Sequence, residues 1–435
     1  SLHLHTFMSD LLLTGGTLLD PTTGETRRAD VLIRDGRIAE IGEALSADGV
    51  ETYDATGKHI SPGWFDMHVH FREPGQEHKE TIATGVRAAA FGGFTGVACM
   101  PNTEPPIATR DVVEFVRKRA EGLPVDVHPI GTVSKGRAGE SLAELGDMQA
   151  GGAVAFSDDG SPVQHGGLMR RALEYARTLG APILGHEEDL TLNAEHGHVH
   201  EGAVSTRLGL SGIPGLAEEA MIARDALLAQ FTGGHVHVCH ISTAKAVDIV
   251  RQAKAQGVPL TAEACPHHWT LTDEAVATSH FDTHTKMHPP LRTQADVDAI
   301  KAGLADGTID VIATDHAPHA PHEKEVEFIA APFGILGLET CWGLTVRELV
   351  KPGVLSLAEA VRKLTVTPRE ILNIEVPTLA VGEAANLTVF DADTEWTFEA
   401  RHIHSKSKNT PFVGAPMVGR AWAIYNNGQF VEALV

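Results

Sequence analysis

The chain is poor in cysteine, short of positive charge and without a long apolar run. Four cysteines among 435 residues, Cys99, Cys239, Cys265 and Cys341, stand far apart and form no CxxC pair. This spacing excludes a disulfide framework or a zinc ribbon and fits a reducing compartment, so a cytoplasmic location is expected. No stretch approaches 18 consecutive apolar residues, so no membrane span is expected. No charged N-terminal region leads into an apolar core, as a secretory signal would require. Residues 1–7 (SLHLHTF) precede Met8 and read as appended residues or as upstream of an alternative start, so His3 and His5 are set aside. Lys plus Arg number 35 against 57 Asp plus Glu, a net charge of −22. That balance disfavours nucleic acid and anionic membranes as partners, and any small anionic ligand must find local cations. Histidine is what abounds: 25 residues, more than Tyr, Trp, Cys and Met combined.

With 43% hydrophobic and 21% charged residues the composition is globular. The length allows one large domain with a small one, or three ordinary domains. Residues 10–42 alternate in short segments broken by turns, with a hairpin signal at Asp35-Gly36. The far end repeats that texture in NLTVFDAD, TEWTFEA and RAWAIYNNGQFV, with a second hairpin signal at Asn427-Gly428. Between them, eight apolar strands begin near Trp64, Thr95, Val125, Ala153, Pro182, His235, Pro259 and Asp310. Helical stretches separate most of them: 79–91, 111–120, 168–179, 217–229, 244–255 and 294–304. Eight β/α units predict an α/β fold, a closed (β/α)8 barrel over residues 62–377. An open doubly wound sheet is the alternative, weakened because no Gly-rich phosphate-binding fingerprint follows the first strand. The short β-rich ends, 8–61 and 378–435, are expected to pair into one composite β-sandwich domain. The connection 188–214 is long, and such loops are usually functional or mobile.

Chemistry collects at the strand ends. His68 and His70, two residues apart on a strand, project on one face and can converge on one metal. Alone an HxH pair means little in so histidine-rich a chain, but catalytic groups of barrels sit where strands end. Asp158-Asp159 ends the fourth strand, His186 the fifth, His240 the sixth and Asp315 the eighth. Any one of these histidines is more simply a hydrogen-bonded core residue; five strand ends together suggest a shared site. Several imidazoles with carboxylates suit zinc or a similar divalent metal, and two aspartates allow a two-metal cluster. Arg72, two residues beyond His70, is expected on the same face at the barrel mouth, where a guanidinium can grip a carboxylate bidentately.

Taken in order, FDMHVHFREPG (65–75), MPNT (100–103), FSDDG (156–160), HEED (186–189) and ATDHAPH (313–319) resemble the amidohydrolase superfamily. The similarity is greatest to bacterial dihydroorotases of the long, two-domain type, and it runs from about Met8 to the end. Hydantoinases and allantoinases typically place a carboxylated lysine at the fourth strand end, where this sequence has aspartate. The resemblance implies His68, His70 and Asp315 on one zinc, His186 and His240 on a second, and Asp159 bridging both. Two zinc ions per subunit are the expectation, one the alternative. Alternation at a strand end does not choose between Asp158 and Asp159; the family motif does. The implied reaction is reversible hydrolysis of L-dihydroorotate to N-carbamoyl-L-aspartate in pyrimidine biosynthesis. The implied nucleophile is a zinc-bound hydroxide, with Asp315 as general base and acid. The substrate carboxylate would be held by Arg72, Asn102 and His319, and its ring by the backbone of Phe333 and Gly334. His288 stands where these enzymes commonly have Asn, which changes the reach and charge of one substrate contact. The alternatives are a hydantoinase-like or allantoinase-like amidohydrolase, and a catalytically silent partner of aspartate transcarbamoylase. Such silent relatives tend to lose ligands, and here all six positions are filled. A homodimer, or an assembly with the transcarbamoylase, is left open.

The remaining histidines have blander readings. His196, His198 and His200 fall in the polar long loop, as a solvated segment or movable lid. His235 and His237 are expected to face away from His240, His267 and His268 to stand behind the site, and His78 to orient a loop. His402 and His404 are expected at the surface.

Overall fold

The structure, a computed structural model, describes residues 10–194 and 196–433; residues 1–7 lie outside them. Three sheets are built from the strands that the sequence pattern marks. The first three barrel strands, Trp64–Val69, Phe94–Cys99 and Asp126–Pro129, pair in parallel. The last five, Phe156–Ser157, Ile183–Gly185, Val236–Val238, Leu260–Ala264 and Val311–Ile312, form a second parallel run. Two isolated parallel bridges close the ring: Gly131 to Phe156 joins the third strand to the fourth, and Val69 to His316 joins the first to the eighth. The chain therefore folds as a closed (β/α)8 barrel, and the open-sheet alternative falls.

The strands are short because their inward ends give way to polar loops; the apolar interior layer is Phe65, Met67, Ala98, Ile130, Ala155, Leu184, Val311 and Ala313, all buried. The first helix begins at Ile82, not at Lys79. Thr81 ends extended and its hydroxyl accepts from the Thr84 amide, a cap that fixes the start. Residues 196–214, in the long connection expected to be functional or mobile, are folded. Val199–His200 pairs in parallel with Gly212–Ile213 across the helix Ala203–Leu208, so this segment is a small strand–helix–strand unit. His200 accepts from the buried Arg292 guanidinium at 3.1 Å, which makes it a structural anchor.

Strands from both chain ends interleave in the third sheet. Leu11–Leu19 lies between Thr26–Arg34 and His59–Pro62, with Glu51–Asp54 pairing its first half. His59–Pro62 then meets Leu387–Thr397, which is followed by Pro416–Asn426 and Gln429–Glu432. Both hairpin signals form tight turns with two successive left-handed residues, Asp35-Gly36 and Asn427-Gly428. Leu11, Leu13, Val31, Ile33, Ile38, Ile60, Leu387, Val389 and Tyr425 make this sheet's own core. An aromatic cluster joins it to the barrel, with Trp64 4.7 Å from Trp342 and 5.1 Å from Phe390, centroid to centroid. His404 stacks on Phe91 and is half-buried, so it is not the surface residue expected; burial lowers it to about 4, its cationic neighbours adding to the effect. Among the described residues, no helix is long and apolar enough to cross a membrane.

Candidate metal centre and active site

Six side chains converge at the C-terminal mouth of the barrel. Two arrive in the first strand and just beyond it: His68 lies within Trp64–Val69 and His70 one residue past it. His186 follows the fifth strand directly. His240 and Asp315 lie two and three residues beyond their strands in left-handed backbone, φ 32° and 48°. Non-glycine residues at positive φ are costly and concentrate at functional sites.

The carboxylate of Asp159 is the hub. His68 Nε2 and His70 Nε2 lie 3.6 and 3.5 Å from its two oxygens, and the same two nitrogens lie 3.4 and 2.9 Å from Asp315 Oδ1. On the other side, His186 Nδ1 and His240 Nε2 lie 3.7 and 3.6 Å from Asp159 Oδ1 and 3.1 Å from each other. Asp158 turns away, accepting from the Val133 amide at 2.8 Å and from the Ser134 hydroxyl. Of the two aspartates that alternation left open, the backbone aims Asp159 into the cluster and Asp158 out of it.

These residues fit a metal pair by an internal test. His68 donates its Nδ1 hydrogen to Glu263, His70 donates its own to Asn102 Oδ1 at 2.8 Å, and His186 donates from Nε2 to Glu188 at 3.3 Å. Each bond fixes a tautomer whose other nitrogen presents a lone pair to the centre, as ligating histidines require. His68 Nε2 and Asp159 Oδ1 are buried without any hydrogen-bond partner. Separations of 3.4–3.7 Å are those of ligands sharing an ion at about 2.0–2.1 Å in tetrahedral geometry, roughly 3.4 Å apart.

The electrostatics agree. Burial works to raise the Asp159 carboxyl, but the surrounding imidazoles of His186, His240, His68 and His70 hold it well below the usual carboxylate range. Burial likewise opposes charge on His68, yet Glu263, Asp315 and Asp159 push it up to about 10. A cluster that draws protons this strongly stabilises any cation placed in it. Glu263 was not anticipated. It sits on the seventh strand, with both oxygens engaged by His68 and His237. His237 therefore supports the centre from below and does not face away; the pattern missed this because inward and outward alternation is blurred in a three-residue strand. The one signal available was a charged residue inside the apolar run LTAEA. Glu263→Gln is expected to keep the fold by circular dichroism and to weaken metal retention about 10- to 100-fold in chelator competition.

Around this centre lie cations and aromatic rings. Arg72 reaches the mouth through a left-handed turn at φ 62°, so strand alternation does not explain its position. Only 7% exposed, it donates to Pro318 O at 3.2 Å and meets His319 Nε2 at 3.5 Å. Burial lowers its guanidinium to about 10 against the pull of Asp315 and Asp159, so it stays charged at neutral pH. Arg137, also unanticipated, donates to Asp159 O and to Ser161 Oγ at 3.0 Å. Asn102 uses its oxygen on His70, leaving its amide hydrogens for a ligand. His319 donates Nε2–H to Phe333 O at 2.7 Å, and burial, Arg72 and Lys324 keep it neutral. His288 stacks on Phe333 at 4.8 Å, stands edge-on to His186 at 4.6 Å, and approaches Glu188 within 2.8 Å. It thus links Phe333 to His186 and Glu188, a span for which an asparagine amide would be shorter.

Residues 57–246 match the family model described as dihydro-orotase-like. A dihydroorotase of Pelotomaculum thermopropionicum is 53% identical over 421 residues, covering 97% of this chain and 98% of the relative. One from Citrifermentans bemidjiense is 51% identical over 425 residues, covering 97% and 99%. Among solved structures, the L-hydantoinase (dihydropyrimidinase) of Arthrobacter aurescens superposes with a TM-score of 0.85 at 26% identity, covering 98% of both chains. The D-hydantoinase (dihydropyrimidinase) from a Thermus species gives 0.82 at 26% identity, covering 98% of this chain and 96% of that one.

Proposed function

The chain belongs to the dihydroorotase family, and on that premise we propose that it interconverts L-dihydroorotate and N-carbamoyl-L-aspartate with two zinc ions held by His68, His70, Asp159, His186, His240 and Asp315. The observation that carries this reading is the convergence of four imidazoles on Asp159, with Asp315 against two of them and a buried guanidinium beside them. The hydantoinases share the fold at about half the identity of the dihydroorotases, and the aspartate hub and Arg72 favour the acidic substrate. Four buried, unpaired thiols support a cytoplasmic setting. Assembly as a homodimer or with aspartate transcarbamoylase rests on the resemblance, and light scattering of the chain alone and mixed with the transcarbamoylase separates the two.

Zinc bound at this centre would lower the pKa of a bound water and polarise the carbonyl under attack. The chain's own groups do the rest. Arg72 and the Asn102 amide hold the substrate carboxylate, and Phe333 and His288 flank the ring. Burial raises the Asp315 carboxyl, but His68 and His70 outweigh it and keep it ionised. In ring opening Asp315 takes the proton of the attacking water and returns it to the amide nitrogen as the C–N bond breaks. Ring closure runs the same proton the other way.

Assay of dihydroorotate, hydantoin and allantoin side by side, on protein of measured metal content, tests this. Turnover of dihydroorotate alone, with zinc bound, is expected. Preference for hydantoin or allantoin would overturn the substrate, and inactivity of zinc-loaded protein toward all three would leave the silent-partner reading.

A further inference from the structure

Two lysines near the mouth are buried without serving the metal centre. Lys286 is 2% exposed and Lys324 3%. Burying an ammonium is costly unless it is paired, yet the hydrogen bonds of both go to carbonyls. Lys286 Nζ donates to Phe328 O at 2.9 Å, Ile329 O at 3.0 Å and Ala331 O at 2.7 Å. Lys324 Nζ donates to Pro332 O at 2.7 Å and to Thr283 O at 3.1 Å, while the Thr283 hydroxyl donates back to Lys324 O at 2.7 Å. The acidic neighbour Glu323 is taken by Lys79 at 3.0 Å.

All of these carbonyls except Thr283 O belong to one irregular segment, 328–334, which leads to Phe333. Its last residues are tied as well: Phe333 O by His319, Gly334 O by Asn409 at 3.1 Å, and the Gly334 amide to Lys286 O at 2.9 Å. At the end of the segment nearest the mouth, the Phe333 amide donates to no protein acceptor among the described residues, as is also true of the Phe328 and Ile329 amides. Drawing five of the segment's carbonyls onto two ammonium groups and an imidazole turns its oxygen edge inward. Lys286 Nζ also lies 4.8 Å from the centroid of the Phe333 ring, the ring that stacks on His288. Lys286 and Lys324 thus hold the segment alongside apolar packing at one end, where Phe328 is buried with Val199 and Val276, while Ile329 is exposed.

We propose that Lys286 and Lys324 are positioning residues that clamp segment 328–334 in the conformation presenting the Phe333 amide and ring to the substrate. Neither touches the reacting atoms; they act through Phe333. The proposal rests on the dihydroorotase reading and assigns the ring contact to the Phe333 amide, because both polar groups of Gly334 are already used. Burial lowers Lys286 to about 8 and Lys324 to about 7, the second aided by the first. An uncharged replacement is therefore the direct probe of what the cations hold.

The test uses the zinc-loaded full chain with Lys286→Met and Lys324→Met, measuring KM and kcat for dihydroorotate, zinc content, and cleavage by a glutamate-specific protease after the exposed Glu325 and Glu327. If the freed segment holds its binding conformation about one-tenth of the time, KM rises about tenfold. The expected result is that rise, kcat within about threefold, unchanged zinc and faster cleavage of the loop. Lys286→Arg and Lys324→Arg keep the charge and donors; they are expected to recover part of the KM and serve if the methionine variants fail to fold. Unchanged KM in both methionine variants overturns the proposal, as does a fall in kcat and zinc with KM constant. Arginine variants no better than methionine ones also overturn it. Failure of the unmodified chain to process dihydroorotate would instead sink the reading of its function.

Discussion

Asp315→Asn should cost about a thousandfold or more in kcat for dihydroorotate, within the 10²–10⁴ range typical of a positioned general base, while the protein stays folded and keeps much of its metal. Asparagine is the informative replacement because position 315 has left-handed backbone, φ 48°, which Asn adopts more readily than Ala. The side chain keeps its shape, so crowding does not change. What disappears is the charge that accepts a proton. His68, His70 and Asp159 remain as donors, so metal loss is expected to be partial. Asp315 Oδ1 is 2.9 Å from His70 Nε2 and 3.4 Å from His68 Nε2, so those imidazoles currently stabilise its ionised form. Stopped assays in both directions, with zinc measured by mass spectrometry on the same sample, give the result. A near-normal rate with full zinc would remove Asp315 from the proton path, and a dead, zinc-free protein would show it to be chiefly a ligand.

The barrel was legible because each of its eight strands carries a compact apolar run, and period and length suffice to count them. Its closure followed from the count of eight units, but the two single bridges that make it, at Gly131 and Val69, are encoded in no local pattern. The same limit governs the site. His68 could be placed by alternation because it lies on a strand, and His70 follows it directly. Arg72, His240 and Asp315 stand at positive φ beyond strand ends, where alternation has no meaning; strand-end position and spacing grouped them with the site, and the family motifs supplied their individual roles. Asp159 was chosen over Asp158 by the family motif alone, because the tertiary hydrogen bonds that tie Asp158 to Val133 and Ser134 leave no local signal. Glu188, Glu263, Arg137 and the two buried lysines were passed over because charged residues in loops or short strands usually meet solvent. Here each is turned inward by partners over 20 residues away in sequence, or, for Glu188, by neighbours that also include His288, 100 residues on.

Arg72→Met is the second large effect expected, and it bears on how so acidic a chain binds an anion. The substrate carboxylate must enter a mouth that already holds Asp159 and Asp315, so without metal and guanidinium it would be repelled. Hydrogen bonds to charged groups are worth about 1.5–3 kcal/mol each, and a bidentate grip makes two. Losing both should lower kcat/KM for dihydroorotate by roughly a hundredfold or more. The loss should be confined to acidic rings. Any slow turnover of 5,6-dihydrouracil, the same ring without the carboxylate, should change by less than about threefold, since that substrate never used the guanidinium. Arg72→Lys should recover little, because an ammonium lacks the planar fork. The ratio of the two substrates' kcat/KM, compared between the chain and Arg72→Met, is therefore the quantity to measure. An equal loss on both rings would mean that Arg72 shapes the mouth through its bond to Pro318 and its contact with His319. A loss on the acidic ring alone would locate the anion selectivity of a protein of charge −22 in one buried cation and its metals.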